Sequence, residues 1–121
     1  MRRLLIHVEG ETEETFVNEI LRPHLLDKNY IQVDARIVGN ARLRDRRGGI
    51  RGWNSVRNDI IRHLRQDSTC IATTLIDYYG LPQTGERAWP GRGKASQLPF
   101  LQKATSVESA LHIDIQAYMG Y

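Results

Sequence analysis

Glu9, Glu13 and Asp77 are the residues of this chain whose type and placement best suit chemistry. The apolar run Leu4-Leu5-Ile6-His7-Val8 leads straight into Glu9, and Glu11, Thr12, Glu13 and Glu14 follow. A strand that gives way to a helix start leaves Glu9 at a carboxyl end, where open α/β sheets carry their ligands. Glu13 stands four residues on, across the turn, and Asp77 closes a second β-prone run, Cys70 to Ile76. Three converging carboxylates repel one another without a cation. A hard ion such as Mg²⁺ takes carboxylate oxygens, with water and substrate phosphates completing its octahedron. The competing explanation for the glutamates is that acids in a helix's first turn are favoured by the helix dipole.

A second constellation is basic. Between Arg42 and Arg65 stand eight arginines (42, 44, 46, 47, 51, 57, 62 and 65) against Asp45 and Asp59, whereas acids dominate the first twenty residues. An acidic centre beside an arginine-rich loop suits a phosphate-bearing partner, with Arg42, Arg44, Arg46, Arg47 and Arg51 as the nucleic-acid contacts. A solvated loop and helix face explains the same run.

The elements that must position these residues follow from periodicity. Arg3 to Val8 reads as a buried strand. Thr12 is a suitable cap for a helix from Glu13 to about Leu26, with Phe16, Val17, Ile20, Leu21 and Leu25 as its buried stripe. Pro23 lacks a backbone donor, so the spacing predicts a kink or an early end near Leu21. Ile31, Val33, Ala35 and Ile37 alternate as a strand does. Gly39 to Gly52 holds four glycines and five arginines without apolar periodicity and reads as a loop. Trp53, Val56, Ile60 and Leu64 return to helical spacing, and Cys70 to Ile76 is a strand with both faces covered. Strand-helix-strand-helix-strand order predicts an α/β fold with a parallel sheet and helices on both faces, which puts Glu9 and Asp77 on one rim. Leu81 to Pro99 is too rich in Pro and Gly for regular structure. Val107 to Leu111 suggests a last helix capped by Ser106, and Ile113 to Tyr121 a final strand.

The chain of 121 residues reads as one domain, with a net charge of +3 and 40% hydrophobic residues. A single cysteine, Cys70, fits a buried core position and a reducing cytoplasm. Neither a signal peptide nor a membrane span is expected from the sequence. His7, His24, His63 and His112 lack metal-ligand spacing. Trp53 belongs to an apolar stripe and reads as core, whereas Trp89, among Arg87, Pro90 and Arg92, is the better candidate for touching a ligand. Ser55 and Thr12 have no evident base, and Gly48-Gly49 lacks the Lys-Ser or Lys-Thr of a nucleotide loop.

Val8-Glu9-Gly10-Glu11-Thr12-Glu13 resembles the V-E-G-x-T-E signature of Toprim domains, particularly those of overcoming-lysogeny-defect nucleases. Together with Phe16-Val17-Asn18-Glu19-Ile20-Leu21, Trp53 and Asp77-Tyr78-Tyr79-Gly80-Leu81-Pro82, the chain resembles a Toprim-like family of unknown function often encoded beside AAA-type ATPases. The resemblance covers about residues 3 to 93 and implies a three-layer Toprim-like sheet. It implies Glu9 as general acid/base or metal ligand, Glu13 as second acid, and Asp77 as first acid of D-x-D, around Mg²⁺ or Mn²⁺. Tyr79 departs from the pattern, standing where nuclease-type members carry another acid. The tail from Ala117 to Tyr121 does not align, so a truncated member is one expectation. The function so implied is metal-dependent phosphodiester processing in a phage-defence or DNA-processing system, on DNA rather than RNA, with an ATPase partner and room for a homodimer. A catalytically inactive scaffold and a metal-free nucleic-acid binder are the alternatives.

Overall fold

The computed structural model describes residues 2–38, 52–78, 81–85 and 88–120. Its centre is strand β1, Arg2–Val8, whose residues from Leu4 to Val8 are all buried. Strand β2, Tyr30–Ile37, and strand β3, Ile71–Leu75, flank it in the order β2-β1-β3, both parallel to β1. Val8 lies level with Ile37 on one side and Leu75 on the other. The chain leaves β1 and β3 at the same rim of the sheet.

Between β1 and β2 runs a helical segment in three parts. Helix α1, Glu11–Phe16, passes into a π turn, Val17–Leu21, and then into helix α2, Arg22–Leu26, with Pro23 near its start. Of the two outcomes Pro23 allowed, the early end at Leu21 does not occur, because the helical segment runs on to Leu26 through this proline. The wide turn that precedes it relaxes the backbone bonding a proline would otherwise break. The same widening changes the buried stripe. Val17 is fully buried and Leu21 and Leu25 pack against it, whereas Phe16 and Ile20 are exposed, because a four-residue spacing now lies along one line of the helix. The helix also opens earlier than expected: Gly10 is its N-cap, and Thr12 sits inside the first turn without capping it.

Residues of alternate parity on β1 go to different partners. Leu4, Ile6 and Val8 join Val17 and Val33 in one apolar cluster. His7 faces helix α3, Trp53–Gln66, and meets His63 there. A second cluster gathers Val38, Trp53, Val56, Ile60, Trp89 and Val107. Helix α4, Arg92–Ala95, and helix α5, Phe100–Met119, complete it.

Four expectations about the second half are corrected. Ile113 to Met119 is helix, not strand, and α5 begins at Phe100 behind Pro99. Val107, Leu111 and Ile115 at four-residue spacing seat it on the second cluster, which leaves no strand to be covered. The segment Leu81 to Pro99, read as irregular, contains α4. Strand β3 is one residue shorter at each end than expected. It forms an edge of the described sheet with Thr73 exposed, so its faces are not both covered.

Trp53 is core, as its stripe implied, and Trp89 is buried too, at 3% exposure. The two rings meet at 4.9 Å between centroids, so Trp89 contributes to packing and not to a ligand surface. The Trp53 indole N–H donates to an Asp114 carboxylate oxygen at 2.6 Å, tying α3 to α5.

Candidate acidic site

Glu9 follows the last residue of β1, Glu13 lies in the first turn of α1, and Asp77 follows β3 by two residues. Parallel pairing of β1 with β3, with Val8 level with Leu75, is what brings Glu9 and Asp77 to one edge. Glu9 and Glu13 are half-buried and Asp77 is exposed, so none of the three turns into the core. The Glu9 carboxyl is held above the ordinary carboxylate range, first by burial and then by the negative charges of Glu13 and Asp77. A hydrogen bond from the Asp77 backbone N–H to the Glu9 carboxylate works the other way. Among the described residues no three of His, Cys, Asp and Glu stand close enough to hold a single ion together. Glu9 thus feels both other acids and touches the Asp77 backbone, while the three carboxylates are not drawn to one point.

Arg42, Arg44, Arg46, Arg47 and Arg51 lie outside the described residues, as does Tyr79. Of the remaining arginines of that run, Arg62 binds Asp59 at 2.6 Å, and Arg57 lies 4.1 Å over the Tyr118 ring and 3.8 Å from Asp114.

Two features near the rim escaped sequence reading. His7 is fully buried on the strand that delivers Glu9. Its Nδ1 lies 3.3 Å from the Thr73 carbonyl and its Nε2 lies 2.9 Å from Nδ1 of His63. A carbonyl only accepts, so His7 carries its proton on Nδ1 and takes a second hydrogen bond from His63 Nδ1–H. Burial lowers the His7 pKa to about 4, and burial likewise lowers that of His63. Arg92 is also buried, at 4% exposure, against Tyr78, the residue after Asp77. A lone imidazole inside an apolar run is a signal that a partner exists, because a buried polar group needs one. An arginine in a Pro/Gly-rich stretch carries no such signal.

A cavity of about 430 Å³ lies between α3, β3 and α5, bordered by Ile60, Leu64, Leu111 and Ile115. It is apart from the acidic rim and contains none of its acids.

Fold and site together define a parallel α/β domain with an acidic edge at the carboxyl ends of β1 and β3. The chain belongs to the family described as Domain of unknown function (DUF4276), whose model matches residues 8–118. No curated protein and no solved structure matches it. Among the described residues, no helix is long and apolar enough to cross a membrane.

Proposed function

We propose that this is a Toprim-like domain whose Glu9, Glu13 and Asp77 rim takes a divalent cation and processes nucleic-acid phosphodiesters, DNA in preference to RNA. The observation that carries the reading is the raised proton affinity of Glu9 beside two further acids at the carboxyl edge of a parallel sheet. The donors are hard carboxylate oxygens, and Mg²⁺ needs only one or two of them when waters and phosphate oxygens fill its other positions. Glu9 and Asp77, together with Glu13, would hold Mg²⁺ or Mn²⁺. When bound, such an ion polarises a phosphoryl oxygen and acidifies water. The residues do the rest. Glu9, whose proton affinity burial and the neighbouring acids raise, is suited to carry a proton to or from a reacting oxygen. The Asp77 N–H fixes the orientation of that carboxylate. Arg42, Arg44, Arg46, Arg47 and Arg51 supply salt-sensitive contacts to the phosphate backbone. A cytoplasmic setting and an AAA-type ATPase partner, in phage defence or DNA processing, complete the proposal.

A second reading rests on Tyr79, a phenol where nuclease-type members carry an acid. It makes the domain a scaffold that has kept the rim and lost the chemistry. Calorimetric titration with Mn²⁺, alongside cleavage assays on plasmid and oligonucleotide substrates, separates the two. The enzyme reading expects Mn²⁺ binding and cleavage: Glu9→Gln loses both, and Asp77→Asn loses cleavage and weakens Mn²⁺ binding, each variant remaining folded. Cleavage that survives both substitutions refutes it, and absence of both Mn²⁺ binding and cleavage in the unaltered chain favours the scaffold.

A further inference from the structure

Arg92 is a cation at 4% exposure, and among the described residues no carboxylate pairs with it. Burying a charge is costly unless good hydrogen bonds replace its water. Its side-chain hydrogen bonds and its ring contact all converge on one residue. Nε–H donates to the Tyr78 carbonyl at 3.2 Å, Nη1–H donates to the Tyr78 hydroxyl at 3.1 Å, and the guanidinium carbon lies 4.1 Å above the Tyr78 ring. Main chain, ring and hydroxyl of residue 78 are thereby held by a single planar group.

The chain behind Arg92 is equally fixed. Gly91 precedes it in the left-handed region, at φ 75°, and a Cβ there would lie 2.9 Å from Cβ of Ala110 and 3.2 Å from the carbonyl oxygen of Ser106. Only glycine meets both demands, and its lack of a side chain lets α4 seat directly on α5. The Arg92 N–H then bonds the Trp89 carbonyl at 3.1 Å, and Trp89 is itself locked against Trp53. On the other side, Tyr78 adjoins Asp77, whose N–H reaches the Glu9 carboxylate. A continuous path runs from α5 through Gly91, Arg92 and Tyr78 to Asp77.

We infer that Arg92 is the positioning residue of the acidic rim, clamping Tyr78 so that Asp77 presents its backbone N–H to Glu9 and its carboxylate to a divalent cation. The cation part of this inference rests on the function proposed above; the clamp itself does not. An arginine at this point does what a lysine cannot, because one rigid fork reaches the carbonyl and the hydroxyl of the same residue while its face lies on the ring. A purely stabilising role for Arg92 would leave the rim's properties alone in any variant that still folds.

The test compares the unaltered chain with Arg92→Gln and Arg92→Lys, alone and with Asp77→Asn, after circular dichroism has shown each to be folded. Mn²⁺ affinity is measured by calorimetry, and hydrogen exchange of the Asp77 amide by NMR. Arg92→Gln is expected to weaken Mn²⁺ binding about tenfold, as loss of a supporting contact behind a ligand does. It should have no further effect once Asp77→Asn is present, and Arg92→Lys should not rescue. The Asp77 amide should exchange about tenfold faster in Arg92→Gln, while the amides of β1 remain slow. Equal Mn²⁺ losses with and without Asp77→Asn would overturn the inference, as would an unchanged Asp77 amide. If the unaltered chain binds no Mn²⁺, the proposed function fails, and the amide measurement alone decides the clamp. Should Arg92→Gln not fold, Tyr78→Phe removes one of the two hydrogen bonds and is expected to accelerate the same amide by a smaller factor; no acceleration there overturns the clamp.

Discussion

Lowering the pH should weaken this fold through one imidazole. His7 is fully buried, and burial, aided by the positive charge of Arg36 and by His63, lowers its pKa to about 4 from the ordinary 6.5, against the opposing effects of the Thr73 carbonyl and Asp59. The unfolded chain takes up this proton near pH 6.5, so below that value it holds more protons than the native state. The contribution is fully present above pH 6.5 and is lost as the pH falls towards 4. At about 1.36 kcal/mol per pH unit the interval from 6.5 to about 4 corresponds to roughly 3 kcal/mol. Protonation at Nε2 would also set two donors facing each other, since that atom now accepts from His63. Urea denaturation at pH 7, 6, 5 and 4 measures the effect, with His7→Asn as comparison. That variant keeps an amide donor for Thr73 and removes the titration. It should be less stable at pH 7, yet lose roughly 3 kcal/mol less on acidification. Carboxylates shared by both proteins cancel in the difference. Parallel stability profiles for the two, or an NMR titration of His7 near 6.5, would refute the reasoning.

Gly91→Ala combines a left-handed backbone with a Cβ approach of 2.9 Å to Ala110, and should cost roughly 2–4 kcal/mol in urea denaturation. Trp53→Phe keeps the ring packing but deprives Asp114 of its indole donor, with an expected loss of about 1.5–3 kcal/mol by the same measurement. Glu9→Gln removes the charge that Glu13 and Asp77 oppose, so its thermal midpoint should equal or exceed that of the unaltered chain while Mn²⁺ binding disappears from calorimetry. Joint replacement of Arg42, Arg44, Arg46, Arg47 and Arg51 by Ala should weaken DNA binding and flatten its salt dependence in fluorescence anisotropy.

The first half of the fold was legible because its signals are local. Leu4 to Val8 is an uninterrupted apolar run, and the parallel arrangement that carries Glu9 and Asp77 to one rim follows from strand and helix order. The early end that Pro23 allowed does not occur, since a π turn ahead of it carries the helix on through backbone bonding that no residue pattern announces. Ile113 to Met119 misled for a different reason. Its β-prone isoleucines sit on a helix whose stripe of Val107, Leu111 and Ile115 is set by tertiary packing on α3. At the rim, strand order placed Glu9 and Asp77 at one edge, whereas Arg92 was invisible because its burial is set by the tertiary contact with Tyr78. Polarity alone places an arginine in solvent.

The two acids at the ends of β1 and β3 are mounted unequally. Glu9 emerges from a strand bonded on both flanks and packed on both faces, the element from which local opening is hardest. Asp77 emerges from a five-residue edge strand. The rim therefore has one side anchored by the sheet itself and the other by the Arg92–Tyr78 contact beyond it. Loss of the Arg92 contact would loosen the Asp77 side and leave Glu9 where the sheet holds it.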